Sequence, residues 1–132
     1  MPVDGPPVVK PRPVYLNLVR IRLPLPGFVS ILHRVSGAVL FLFAIPLALF
    51  AVQASLESAD GFANLKSTFA HPLCKVFLIG LLWAYVHHFF AGIRFLLLDL
   101  HIGDDLKPAR QSSVAVLVVS LALTAMIVVR LW

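Results

Sequence analysis

The sequence predicts an all-α membrane protein with three transmembrane helices, and composition is the first reason. Of its 132 residues, 60% are hydrophobic and 13% are charged, and the mean hydropathy is +0.94. Soluble domains use about 45–50% apolar and about 25% charged residues, so a chain of this size cannot bury this much apolar surface. The second reason is that the apolar residues are concentrated in long runs, as in integral membrane proteins.

Three apolar runs cover about residues 28–54, 72–98 and 113–131. Each approaches or exceeds the roughly 20 residues that a helix needs to cross a bilayer. None alternates between polar and apolar residues, as membrane-spanning strands do. Pro46 lies inside the first run and is expected to kink that helix. The sequence therefore predicts a three-helix transmembrane domain over residues 28–132.

The first 27 residues differ in character from the rest of the chain. They hold seven of the ten prolines and four of the basic residues. Proline removes a backbone donor and disfavours helix at the residue before it, so this segment is predicted to be an extended, proline-rich arm. It lacks the short apolar core and small-residue cleavage site of a signal peptide.

The basic residues between the apolar runs predict the orientation. One side of the predicted membrane domain carries Lys10, Arg12, Arg20, Arg22, Lys107 and Arg110. The other side carries Lys66, Lys75 and Arg130. Basic residues accumulate on the cytoplasmic side, which places the N-terminal arm and the second loop in the cytoplasm. The net charge of +5 is explained in this way and not by nucleic-acid binding, since no basic stripe is interleaved with aromatic residues.

The first predicted helix carries a polar stripe at its cytoplasmic end. Ser30, His33, Arg34 and Gly37 have the spacing i, i+3, i+4, i+7, which puts them on one helix face. Ionisable groups within a membrane span are costly and mark a functional site or an internal contact. One alternative is that Arg34 only extends to the lipid headgroups. Gly37 leaves room for the close approach of another helix or of a flat ligand.

The second predicted helix carries ionisable residues on two adjacent faces. One face has His88, Gly92, Phe95 and Asp99, and the other has His87, Ala91, Arg94 and Leu98. His88 lies roughly 16 Å along the axis from Asp99, near the middle of the membrane. A neutral imidazole at this depth needs a partner, which is either a metal ion or a hydrogen-bonding group of another helix.

The positions of the deep histidines limit how a haem could be bound. A six-coordinate haem needs two axial ligands. His87 and His88 are adjacent, so they cannot reach opposite faces of one iron, and the third helix has no ionisable residue before Arg130. A haem held by two histidines would therefore require a second protein chain, and the third helix is predicted to serve in packing.

Three motifs together resemble a known family. They are "RPVYLNL" at residues 12–18, "SILHRVSG" at residues 30–37 and "HFFAGIRFLLLD" at residues 88–99. The second follows the pattern S-x-x-H-R-x-[ST]-G, and the third follows H-x-x-x-G-[hydrophobic]-R-x4-D. From about residue 12 to the C-terminus, the chain resembles the cytochrome b membrane-anchor subunits of bacterial succinate dehydrogenase, the succinate:quinone oxidoreductase of respiratory complex II.

The resemblance implies roles for individual residues. His88 would be an axial ligand of haem b, with the other ligand coming from a second membrane-anchor subunit. His33 and Arg34 would lie near the haem propionates, and Ser30 and Arg34 would line a ubiquinone site. Arg94 and Asp99 match the motif but have a less defined role. Some relatives have a histidine where this chain has Phe95, so any role of that histidine is absent or moved here.

The resemblance also implies partners and a location. The chain would be a subunit outside the catalytic core, and it would pack with the second anchor subunit into a helical bundle in the bacterial inner membrane. Its arm would dock the iron–sulfur and flavoprotein subunits, from which electrons of succinate reach the quinone. The alternatives are an anchor of a related quinol:fumarate reductase, which uses menaquinone, and a structural membrane protein without a cofactor.

Overall fold

A computed structural model describes residues 21–131, and its regular elements are all helical. The α-helices are α1 (Leu25–Val39), α2 (Ile45–Glu57), α3 (Ala59–Ala70), α4 (Pro72–Asp99) and α5 (Leu106–Leu131), and a π-helical turn (Leu40–Ala44) joins α1 to α2. Three continuous helical segments are long and apolar enough to cross a membrane, and they are Leu25–Glu57, Pro72–Asp99 and Leu106–Leu131. The predicted fold class, an all-α protein with three transmembrane helices, is confirmed.

The helices extend beyond the apolar runs at several ends. The first helix begins at Leu25, with Pro26 in its first turn, where the missing N–H of proline has no cost. Helix α5 begins at Leu106, well before the predicted apolar run, which starts at Ser113. The first turns of α5 carry polar residues, so hydropathy did not assign them to the helix. Residues 1–20 of the predicted arm lie outside the described residues, so the arm and its boundary at residue 27 stay predictions.

Pro46 acts on the first helix through the π-helical turn that precedes it. A proline lacks the N–H of the α-helical hydrogen bond, and its ring would clash with the carbonyl four residues earlier, which belongs to Leu42. In the structure, the N–H of Ile45 donates to the oxygen of Leu40, five residues earlier. The wider π turn thereby makes room for the proline ring without ending the helix.

The first predicted loop contains a helix that was not predicted, α3. Its N-cap is Ser58, whose Oγ accepts a hydrogen bond from the N–H of Gly61 at 3.0 Å, and Asp60 lies in its first turn. Both features stabilise a helix N-terminus. Helix α3 packs against α2 so closely that a Cβ on Gly61 would lie 2.6 Å from the carbonyl oxygen of Ala54.

Helix α4 is the central helix and packs against both α1 and α5. The common core consists of Val29, Ala91 and Val116, with Phe90 and Leu117 around it. The face that α5 buries is made of small residues, namely Ala109, Ser113, Val116, Ser120 and Thr124. Small residues let helices approach closely in a membrane. The hydroxyls of this face bond to carbonyls of α5 itself, which agrees with the predicted packing role.

Candidate functional site

The structure brings together two histidines that the sequence places 55 residues apart. His33 of α1 and His88 of α4 stack face to face, with ring centroids 4.2 Å apart and an angle of 9° between the planes. Phe95, about two turns further along α4, has its ring centroid 5.0 Å from that of His33. Part of the polar stripe, His33 and Gly37, therefore forms one cluster with His88, Gly92 and Phe95 of α4.

The hydrogen bonds of His88 fix its tautomer. Its Nδ1 lies 3.0 Å from the main-chain oxygen of His33 and 3.2 Å from Oγ of Ser36. A carbonyl oxygen can only accept, so Nδ1 is the donor, and in the neutral ring Nε2 then has the lone pair. Within residues 21–131, Nε2 has no hydrogen-bond partner. Metal-binding histidines in proteins show this arrangement, in which the second nitrogen donates to a carbonyl.

Ser36 is a residue of this cluster that the sequence pattern did not single out. It is 4% exposed, and its Oγ also donates to the main-chain oxygen of His33 at 2.9 Å. The hydroxyl thus lies between the backbone of α1 and the ring of His88. The signal in the sequence was its place in "SILHRVSG", where the family pattern has a serine or threonine.

Gly37 makes the close approach of the His88 ring to α1 possible, and Gly92 lies beneath the ring of His33. A Cβ on Gly37 would lie 2.8 Å from Cε1 of His88, a distance that a real contact does not allow. The space predicted at Gly37 is therefore used by a side chain of another helix. At Gly92, a Cβ would lie 3.6 Å from Nε2 of His33, so the His33 ring covers this glycine at ordinary contact distance.

Ser30 and Arg34 lie on the same helix as His33 but make no polar side-chain contact within the described residues. Ser30 is half-buried and Arg34 is exposed. Neither side chain has a hydrogen bond or an ion pair with any residue in the range 21–131. Within the described range, these polar groups are thus not engaged by the protein.

Arg94 and Asp99 do not join the histidine cluster. Arg94 is 5% exposed and turns toward α5, where Nε donates to Oγ of Ser112 at 2.9 Å and Nη2 donates to the main-chain oxygen of Ala109 at 3.3 Å. Asp99 is exposed at the end of α4. The motif that contains both residues is therefore divided between two faces of the helix.

His87 is fully buried, with an exposure of 0%. Among the residues that the structure describes, neither of its ring nitrogens has a hydrogen-bond partner, and the same holds for Nε1 of Trp83. The rings of Trp83 and His87 are stacked, with centroids 5.3 Å apart. His87 therefore belongs to a face of α4 different from that of His88, as the helical period predicts.

Known proteins with similar sequences belong to one family. The family model described as the succinate dehydrogenase/fumarate reductase transmembrane subunit matches residues 9–127. A succinate dehydrogenase cytochrome b556 subunit from Coxiella burnetii is 35% identical over 122 residues, which cover 92% of this chain and 97% of that protein. The protein of the same name from Paracoccus denitrificans is 31% identical over 115 residues, with coverages of 87% and 88%. That from Rickettsia felis is 28% identical over 117 residues, with coverages of 88% and 90%.

Proposed function

Because this chain belongs to the succinate dehydrogenase/fumarate reductase transmembrane subunit family, as its motifs predicted, we propose that it anchors a succinate:quinone oxidoreductase in the membrane. In this role it binds haem b together with a second anchor subunit and forms part of the ubiquinone-reduction site. As a membrane subunit, it lies outside the catalytic core of the enzyme. The observation that carries the proposal is the state of His88, whose Nδ1 is engaged and whose Nε2 is unused within the described residues.

His88 fits the role of an axial haem ligand. The hydrogen bond from its Nδ1 to the carbonyl of His33 orients the ring and leaves Nε2 to bind the iron. Haem b, when bound, supplies a one-electron carrier whose potential depends on its axial ligands. His33 cannot be the second ligand in this arrangement, because its ring lies parallel to that of His88 and the nitrogens do not oppose each other. The second ligand comes from the partner anchor subunit.

Ser30 and Arg34 are assigned to the quinone, and His33 and Arg34 to the haem propionates. A hydroxyl and a guanidinium that are not engaged within residues 21–131 can donate to a quinone carbonyl and stabilise the charge that develops on reduction. A cation beside a propionate compensates a buried anion. Quinone reduction consumes protons, so the site should lie near the cytoplasmic surface, where the basic arm places this end of α1.

The assembly follows from the same family. We assign the chain to the bacterial inner membrane with its N-terminus in the cytoplasm, in a complex with the second anchor subunit, the iron–sulfur subunit and the flavoprotein. The family description also covers fumarate reductases, so an anchor that works with menaquinone in the reverse direction is the second candidate. A structural protein without a cofactor is disfavoured by the unused Nε2 of His88.

The haem assignment is tested by replacing His88 in the purified complex. His88→Leu should abolish the low-spin haem b absorbance, because the iron loses one of its two ligands. His87→Leu is the matched control, since it removes the adjacent histidine of the same helix and should leave the haem absorbance in place. An unchanged spectrum in His88→Leu would refute the ligand assignment, provided that gel analysis shows the four subunits together.

The quinone assignment is tested by two activities of the same complex. Ser30→Ala and Arg34→Leu should each lower succinate–quinone reductase activity about tenfold or more, because each removes a donor to the reacting carbonyl. Succinate oxidation by an artificial dye should not change. Arg22→Leu, which removes an exposed cation just before the same end of α1, is the control. Equal loss of both activities would mean that these residues serve assembly.

A further inference from the structure

Arg94 is a buried cation for which no anion is present within the described part of the chain. Its Nε and Nη2 donate to a hydroxyl and a carbonyl of α5, while Nη1 has no acceptor among residues 21–131. The one ion pair in this range joins His101 to Asp104 and does not involve Arg94. A buried charge without a counterion is costly, and a cation within a membrane span marks a binding site or a contact.

Arg94 lies in a groove between α4 and α5 with a volume of about 330 Å³. Arg94 and Ser112 line the middle of the groove, and toward the loop that joins the two helices it is lined by Leu97, Leu98, Ile102, Gly103 and Pro108. Toward the middle of the membrane, it is lined by Phe90, Val116 and Val119. Arg94 is therefore the charged residue of a groove whose other lining residues are mostly apolar.

The depth of Arg94 suits a lipid phosphate. Helix α4 has 28 residues, which corresponds to about 42 Å and therefore to the whole bilayer with its headgroup layers. Arg94 is about 8 Å from the end of this helix at Asp99. Its guanidinium thus lies near the boundary between the headgroups and the hydrocarbon, and the part of the groove lined by Phe90, Val116 and Val119 lies at the depth of the acyl chains.

The groove is separate from the histidine cluster. Arg94 follows His88 by six residues, so the two side chains lie about 120° apart around the helix axis. His88 faces α1 through its contact with His33, whereas Arg94 faces α5 through Ser112. No described residue of α1 lines the groove. A ligand in the groove is therefore neither the haem of His88 nor the quinone of Ser30 and Arg34.

We propose that this groove binds one anionic phospholipid. Its phosphate pairs with the guanidinium of Arg94, and one acyl chain lies along Phe90, Val116 and Val119. A phosphate supplies the missing anion and an acceptor for Nη1, since guanidinium and phosphate form charge-assisted hydrogen bonds. An apolar partner helix in the same place would leave the charge of Arg94 unpaired. Basic positions between transmembrane helices at a membrane surface suit anionic headgroups in general.

The test measures lipid that stays bound to the whole complex. The complex is loaded in nanodiscs of phosphatidylglycerol and phosphatidylcholine in equal amounts and then exchanged into mild detergent. The retained lipids are counted by mass spectrometry. The wild type should retain phosphatidylglycerol in preference to phosphatidylcholine, and Arg94→Gln should retain about tenfold less phosphatidylglycerol, the effect of losing one charge-assisted contact. Arg110→Gln, an exposed arginine of α5 that does not line this groove, should retain as much as the wild type.

A second variant tests the groove without touching the charge. Ala115 is exposed and lines the groove, so Ala115→Leu fills the acyl-chain path without disturbing the core. It should lose phosphatidylglycerol as Arg94→Gln does, while Val118→Leu, on the same helix but outside the groove, should not. Loss in Arg94→Gln alone would show that the acyl chain lies outside the groove and would overturn that part of the proposal. Retention equal to the wild type in both groove variants would overturn the whole proposal, and the anion on Arg94 would then be a free phosphate or a carboxylate of another subunit. If Arg94→Gln does not assemble, Ala115→Leu decides. Haem absorbance, measured in parallel, keeps this test independent of the haem assignment.

Discussion

At the scale of the residue, the contact between Gly37 and His88 determines how α1 meets α4. The imidazole occupies the space that any other residue at position 37 would fill with its Cβ. This contact lets the main-chain oxygen of His33 reach Nδ1 of His88, so the glycine is part of what holds the proposed haem ligand. Sequence spacing indicated a close approach at Gly37, but it left open what would approach.

This contact predicts the effect of a methyl group. Gly37→Ala should displace the His88 ring, shift or weaken the haem absorbance and destabilise the complex by about 1–3 kcal/mol, because overpacking forces the ring and backbone apart. Gly80→Ala is the matched control in α4, where a Cβ would meet nothing within 4 Å and alanine is the better helix former. The haem spectrum and melting temperature of both variants are the measurements. A normal spectrum and melting temperature in Gly37→Ala would contradict the close contact.

At the scale of the element, the π-helical turn in the first span and the short helix α3 each have a local cause in the sequence. The π-helical turn before Pro46, with its hydrogen bond from the N–H of Ile45 to the oxygen of Leu40, makes room for the proline ring. Helix α3 starts at a side-chain cap on Ser58 and ends just before His71, whose ring accepts from the N–H of Leu73 at 3.3 Å at the start of α4. Pro46 and the capping residue Ser58 can both be read from the sequence. The apolar runs nevertheless dominated its interpretation, and α3 is too polar to stand out by hydropathy.

The cap predicts which serine α3 depends on. Ser58→Ala should destabilise the first turns of α3 by about 1 kcal/mol, the usual effect of losing an N-cap side chain. Hydrogen exchange of the α3 amides in the assembled complex should accelerate about fivefold, since 1.4 kcal/mol corresponds to about tenfold. Ser67→Ala is the control, since the Ser67 hydroxyl bonds to the carbonyl of Asn64 within the helix and caps nothing. Unchanged exchange in Ser58→Ala would show that packing against α2 alone holds α3.

At the scale of the whole molecule, the described chain leaves most of its apolar surface uncovered. In the most apolar stretches of the three candidate spans, only 6%, 28% and 17% of the residues are buried, in chain order. The first span is therefore covered mainly by something other than the described residues. A bilayer and a second anchor subunit are the expected environment, and His88, whose Nδ1 is engaged and whose Nε2 has no partner within residues 21–131, fits a haem that two subunits share.

This shared site predicts what the isolated chain can do. Expressed without its partners, the chain should not form a low-spin haem b with two histidine ligands, because it supplies one suitable nitrogen. Co-expression with the second anchor subunit should restore the spectrum. Absorbance and electron paramagnetic resonance of both preparations are the measurements. A normal bis-histidine spectrum from the chain alone would contradict the two-subunit site.

The sequence by itself determined the fold class, the three membrane-spanning helices and the residues of each polar face. Hydropathy and helical period are properties of neighbouring residues, so they can be read without knowing any distant contact. Only the tertiary structure decided that His33 and His88 stack, that Ser36 joins them, and that Arg94 leaves its motif to face α5. These contacts depend on how the helices rotate and approach one another, and that is determined by the packing of glycines and small residues on different helices.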